Sequence, residues 1–299
     1  MNNKIYFIII SIFLLIYSYT YFNLKYKLDN FWKIYEEKQK EYIFNFSLTF
    51  EYKVKNIIKK KHRPVYTQGL IFDVQKDNKK FIYESGGEYG KSTLSKYEYP
   101  SFKRLANYLV KKQYFAEGIA IDKLNNILIQ LTWREKVVLI YNYPHIEFIN
   151  SIPLPKEIKE GWGLSNSENL DEFYLTDGTN VIYKIKYMNT NEIKIIKKIN
   201  VTYHNNPIDK LNDLAYSNGS LYCNHYMDHL LLKINATTGI IEKYYSFQLL
   251  INYELKVGQL NYPLLLSGNV LNGIALNPIN NTFIITGKIW DNYYEVELY

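Results

Sequence analysis

Five short stretches decide the reading of this chain: Gln68-Gly69-Leu70-Ile71-Phe72, Glu117-Gly118-Ile119-Ala120-Ile121, Trp162-Gly163-Leu164-Ser165-Asn166, Asn212-Asp213-Leu214-Ala215-Tyr216 and Asn272-Gly273-Ile274-Ala275-Leu276. Each places a polar or Trp residue before a small or acidic one, then Leu or Ile. They recur at intervals of 49, 45, 50 and 60 residues, the spacing that marks solenoids and propellers. A second apolar run follows each, such as Ile127-Leu128-Ile129, and a third, such as Val181-Ile182-Tyr183-Lys184-Ile185. A fourth and more charged run completes the first four units, as in Ile193 to Ile199. Runs this short, β-branched and bounded by Gly, Asn and Asp are strands. Four antiparallel strands repeated five times predict an all-β fold, a five-bladed β-propeller.

The fifth unit stops after its third strand at Tyr299, which leaves an open outer edge. The run Leu48 to Val54, just ahead of the first unit, alternates suitably to fill it. The propeller is therefore expected over residues 46–299, closed by an N-terminal strand. Within it, the start of each first strand and the end of each second strand share one mouth of the central channel. That funnel is read as a ring of Gln, Glu, Trp, Asn, Lys and aromatic side chains, with Glu117 as the only carboxylate among the inner-strand starts.

Ahead of the propeller, Ile5 to Leu24 is uncharged and rich in Ile, Leu, Phe and Tyr. About 20 such residues at ~1.5 Å each span ~30 Å, the thickness of a bilayer core. No small-residue cleavage pattern follows it. Residues 1–25 are expected to form one transmembrane helix, an uncleaved signal anchor, and residues 26–45 a charged stalk. The propeller is placed in the secretory lumen, although Lys25 and Lys27 beside the anchor point the other way under the positive-inside rule.

Composition excludes several classes. Hydrophobic residues at 47% and charged residues at 22% exclude a largely disordered chain. The single cysteine, Cys223, rules out an internal disulfide and a cysteine-rich zinc site. A net charge of +7 over 299 residues gives no case for nucleic-acid binding. The run Ser85 to Ser92 ends like a phosphate-binding loop but joins two strands instead of opening a helix. His225 and His229 lack the glutamate of a zinc-binding helix, and Cys223 reads as a core thiol. A metal-dependent propeller lactonase would need several carboxylates at the channel mouth. No cofactor and no metal are expected.

The funnel residues carry a resemblance. Tyr66-Thr67-Gln68-Gly69-Leu70, Phe115-Ala116-Glu117-Gly118-Ile119, Gln130-Leu131-Thr132-Trp133, Gly161-Trp162-Gly163-Leu164, Thr176-Asp177-Gly178, Leu211-Asn212-Asp213-Leu214, Val270 to Ala275 and Thr286-Gly287-Lys288-Ile289-Trp290, in that order, resemble the plant and bacterial type of glutaminyl-peptide cyclotransferase. That family is a five-bladed propeller, in agreement with the repeats. The resemblance implies conversion of an N-terminal glutamine of a peptide or protein to pyroglutamate with release of ammonia, by a metal-independent acid/base route. It implies Glu117 as the acid/base, with Asn212 and Lys288 beside it as catalytic groups, and Gln68, Trp133, Trp162 and Tyr226 as substrate-binding groups. Tyr226 stands where the family usually has Trp. The implied partners are N-terminal glutaminyl peptides and, through the anchor, a membrane; the enzyme is expected to act as a monomer. The competing reading is a non-catalytic propeller that binds peptides.

Overall fold

A computed structural model describes residues 51–188 and 191–299 and, earlier in the chain, residues 21, 22, 25–27, 29, 30, 33, 34, 37, 38 and 40, all helical. The chain divides into two compact units, Met1–Asn45 and Phe46–Tyr299. Among the described residues no helix is long and apolar enough to cross a membrane. The run predicted to do so lies almost entirely outside the described residues.

The second unit is a five-bladed propeller. Strand β1 (Tyr52–Lys59) precedes blade one, built from β2 (Tyr66–Val74), β3 (Lys80–Gly87), β4 (Thr93–Glu98) and β5 (Lys103–Leu109). Blade two holds β6 (Ala116–Asp122), β7 (Ile127–Thr132), β8 (Val137–Asn142) and β9 (Glu147–Pro153). Blade three holds β10 (Leu164–Asn166), β11 (Glu172–Thr176), β12 (Val181–Met188) and β13 (Glu192–Asn200), followed by the small hairpin β14 (Thr202–Tyr203) and β15 (Asn206–Pro207). Blade four holds β16 (Leu211–Ser217), β17 (Ser220–His225), β18 (Leu230–Asn235) and β19 (Ile241–Ser246). Helices α1 (Gln248–Val257) and α2 (Tyr262–Leu266) then intervene before β20 (Leu271–Asn277), β21 (Thr282–Gly287) and β22 (Asn292–Leu298). These two helices explain the long fourth repeat interval.

Burial falls from the channel outward. Every residue of β6 is buried, whereas β13 alternates exposed and buried positions and β5 is mostly exposed. That gradient is why the first strands read as unbroken apolar runs and the fourth as charged ones. The apolar clusters are shared between neighbours: Ile129, Val138 and Leu175 join blades two and three, and Tyr174, Leu214 and Leu221 join three and four. Each blade thus buries a face that it could not bury alone.

The small second residue of the repeated frame has a packing cause. A Cβ built on Gly118 would lie 2.3 Å from the Leu164 nitrogen, and one on Gly163 would lie 2.2 Å from the Asn212 carbonyl oxygen. Neighbouring inner strands therefore meet backbone against backbone. Blade four has the acidic residue of the frame, Asp213, at this position, and its buried carboxylate accepts from the Ile274 N–H at 2.9 Å.

The fifth blade is closed by an N-terminal strand, but further along the chain than the sequence suggests. The strand expected over Leu48 to Val54 is β1, which pairs antiparallel with β22 from Tyr52 opposite Leu298 to Lys59 opposite Asn292. Leu48 to Phe50 lie outside the described residues. Tyr52 and Val54 are buried while Lys53, Lys55 and Lys59 face out. Lysines on an outermost strand discourage pairing with another chain, so the basic run takes the edge. Helix α1 is fastened to the same blade through Glu254, which accepts from the Asp291 N–H (2.9 Å), the Asn292 amide (2.9 Å) and the Tyr294 hydroxyl (2.5 Å).

Candidate active site

Bulges aim the inner-strand residues into the funnel. In blade two the pairing skips from Ala116 opposite Thr132 to Ile119 opposite Gln130, so Glu117 and Gly118 face Leu131 alone. The same irregularity frees Gln68 in blade one, Asn212 and Asp213 in blade four, and Asn272 and Gly273 in blade five. A residue in a bulge loses its ladder partner and turns its side chain out of the regular alternation. Trp162 reaches the same place differently: it precedes β10, with its N–H donating to the Thr176 carbonyl at 3.1 Å.

All seven sequence-predicted residues (Gln68, Glu117, Trp133, Trp162, Asn212, Tyr226 and Lys288) line one cavity of about 290 Å³, and they come from all five blades. Glu88, Tyr66 and Phe115 line it too and were given no role from sequence. The signal for the last two was available: an aromatic stands two residues ahead of both Gln68 and Glu117. Nothing local marks Glu88, which enters through a backbone with φ +112°.

Glu117 is 4% exposed. Burial raises its pKa well above the usual carboxylate value; the Lys288 charge opposes this, and Asp213, Glu160 and Glu135 add to it. Its Oε1 accepts from the Gln68 amide at 3.0 Å. The orientation of that amide is fixed from behind. Asn272 donates to the Thr67 carbonyl (2.9 Å) and to Gln68 Oε1 (3.0 Å), so the Gln68 NH2 must face Glu117. The Gln68 carbonyl oxygen is thus already engaged, and it is the donor side of this amide that meets the site.

Lys288 is 2% exposed and burial lowers its pKa to about 8, with Glu117 acting in the opposite sense. Its ammonium lies 4.8 Å from the Tyr66 ring centre and 4.5 Å from that of Tyr226. Two aromatic faces thus replace part of the lost hydration. Asn212 Oδ1 is buried with no hydrogen-bond partner, a polar atom left for a ligand to satisfy. Tyr226 packs edge-on against Trp162 at 5.4 Å. Space for its hydroxyl comes from Gly268 (φ +99°), where a Cβ would lie 2.9 Å away.

Asp213, the residue after Asn212, is wholly buried and burial raises its pKa as well, but it does not line the cavity. Asp177, quoted among the family motifs, does not line the cavity. It accepts from the Tyr183 hydroxyl (3.1 Å), the Thr179 N–H (3.1 Å) and the Lys159 N–H (3.2 Å), which spends it on holding a turn. His225 and His229 both approach Asp228, at 3.3 and 2.9 Å. Among the described residues no group of three His, Cys, Asp or Glu side chains is placed to hold a metal ion. Cys223 is buried, and burial pushes its thiol pKa up, as for a core residue.

A second cavity, of about 430 Å³, opens among residues at the far ends of the inner strands, including Phe72, Ile121, Leu164, Tyr216 and Leu276. Its charged groups, Lys123 and Asp73, form an ion pair at 2.8 Å. The two titratable groups of opposite sign whose pKa values burial shifts, Glu117 and Lys288, line the smaller one.

Comparison with known proteins gives a consistent result. The family model for glutamine cyclotransferase matches residues 32–298. A glutaminyl-peptide cyclotransferase of Arabidopsis thaliana is 26% identical over 238 residues, covering 79% of this chain and 68% of that protein. The crystal structure of Myxococcus xanthus glutaminyl cyclase superposes with a TM-score of 0.69 at 24% identity, covering 83% of this chain and 96% of the other, a likeness of fold.

Proposed function

The chain belongs to the glutamine cyclotransferase family, and from that premise we propose how its cavity works. The activity is that of a glutaminyl-peptide cyclotransferase, an acyltransferase that turns an N-terminal glutamine into pyroglutamate and releases ammonia. The single observation that carries the proposed mechanism is the meeting, in one aromatic-walled cavity, of a desolvated carboxylate and a desolvated lysine from different blades.

The substrate's α-amine attacks its own side-chain carboxamide carbon, so the reaction is intramolecular and the enzyme's first task is to fold the side chain back. Trp133, Trp162 and Tyr226 wall the space in which it folds. The α-amine has a pKa of about 8. Glu117, whose pKa is raised by burial, takes its proton and returns it to the departing ammonia. Lys288 and the Asn212 amide donate to the carboxamide oxygen as charge builds there, the largest electrostatic contribution in acyl transfer. Gln68, oriented by Asn272, holds Glu117 in place through one oxygen.

Purified protein incubated with a Gln-initiated dipeptide should release ammonia and form the lactam, while the same dipeptide blocked at its α-amine should not. Absence of turnover with the free peptide would leave a peptide-binding propeller instead. We further propose a monomer with a lumenal propeller, held to a membrane by Ile5 to Leu24; the length and apolarity of that run support the membrane attachment alone.

A further inference from the structure

On the reading that the cavity cyclises glutamine, we propose that Glu160 is a positioning residue that ties Trp133 to Trp162 and so closes a ring of side chains around the substrate. Its Oε2 accepts from the Trp133 indole N–H at 2.6 Å and from the Trp162 indole N–H at 2.8 Å. An indole has one donor, and both walls spend theirs on one carboxylate oxygen. Such charge-assisted bonds are short and strong. Glu160 Oε1 lies 3.7 Å from Arg134 Nε, and the Arg134 guanidinium sits 3.9 Å over the Trp133 ring.

The rest of the ring is continuous. Trp133 packs on Phe115 (5.5 Å between ring centres) and Phe115 on Tyr66 (6.1 Å); Lys288 bridges Tyr66 and Tyr226, and Tyr226 packs on Trp162. Without Glu160 the circuit is open between blades two and three. Glu160 is not among the residues lining the cavity, so it acts behind the walls. A flexible glutamine side chain reaches its cyclising pose only between walls of fixed separation, and small misplacements of positioning groups cost large factors in rate.

The test is a cycle of variants in the full-length protein, read by cyclisation of a Gln-initiated dipeptide and by near-UV circular dichroism. Glu160→Ala should lower kcat/KM by about tenfold, with kcat falling more than KM rises, and should weaken the tryptophan near-UV signal while far-UV signal is kept. Glu160→Gln, with one acceptor left, should recover part of both losses. In a Trp133→Phe/Trp162→Phe background, which keeps aromatic walls without indole donors, Glu160→Ala should change kcat/KM by less than about twofold, the non-additivity of a coupled pair. Equal losses in both backgrounds, or no loss in the parent, overturn the proposal. If Glu160→Ala does not fold, Glu160→Gln in the two backgrounds decides by the same comparison. A parent protein without cyclase activity would sink the functional reading alone, since the near-UV signal would still report whether Glu160 holds the indoles.

Discussion

Two buried titratable groups, the Glu117 carboxyl and the Lys288 amine, give the site its character, and each can be tested singly. Glu117→Gln keeps the shape and can still accept the Gln68 amide through its carbonyl oxygen, but it cannot carry a proton. We expect kcat for dipeptide cyclisation to fall by at least ~10² with a much smaller change in KM, and the melting temperature at pH 7 to be no lower. The sign follows from burial. A carboxyl whose pKa is raised on folding costs stability progressively as pH climbs above its unfolded value near 4.3, and glutamine does not. For Lys288 the folded pKa of about 8 lies below the ordinary 10.5. Below pH 8 both states carry the charge and the burial cost is complete; between 8 and 10.5 it fades, and above that it is gone. The shift corresponds to roughly 3 kcal/mol, partly offset by the contacts with Tyr66 and Tyr226, worth about 1 kcal/mol each. Lys288→Met should therefore abolish most activity yet raise the melting temperature at pH 7 by a few degrees, with the gain disappearing in scans above pH 10.5. A destabilised Lys288→Met protein at pH 7 would show that the lysine is not desolvated.

At the scale of the strand, the repeated frame serves packing and chemistry together. Its second residue must let backbones touch, and its first must leave the ladder. Gly163→Ala would drive a methyl to 2.2 Å from the Asn212 carbonyl oxygen and 2.7 Å from its carbon. Neither atom can yield without displacing β16 and with it the Asn212 side chain. We expect a loss of about 3 kcal/mol or more in denaturant titrations, along with a lower kcat. Gly90→Ala is the contrast: a Cβ there meets nothing within 4 Å, so only its positive φ counts, at roughly 1 kcal/mol. Equal costs at the two positions would refute backbone contact as the reason for the frame. Small residues at this frame position are readable in the sequence, but the bulges beside them are not. A bulge is a mismatch between two strands, and neither strand carries it alone.

For the whole molecule, the site is assembled by closure of the ring of blades, so the reaction should need only the folded chain. Cyclase activity is expected to survive long preincubation with millimolar EDTA or phenanthroline, measured by ammonia release. The reason is the donor set, in which Glu117 shares its cavity with a lysine and no group of three ligand side chains stands together among the described residues. Activity lost to the chelator and restored by zinc would remove the proton-transfer mechanism. Topology has its own test: protease added to sealed microsomes should leave a lumenal propeller intact until detergent is added, and digestion without detergent would reverse the orientation.

Five blades, their strand order and seven of the ten residues lining the cavity were legible in the sequence alone. Alternation and a repeated frame are local patterns, and each unit states them independently. Tertiary structure decided what those residues can do. Gln68 and Glu117 meet across 49 residues, and the amide that orients Gln68 comes from 204 residues further on. Glu160 lies two residues from Trp162, yet only the fold brings Trp133 to the same oxygen. Desolvation, which raises the pKa of Glu117 and brings that of Lys288 to about 8, is a sum over neighbours from every blade. No segment of sequence contains that sum, because proton affinity depends on the distance to charges and water in space and not along the chain.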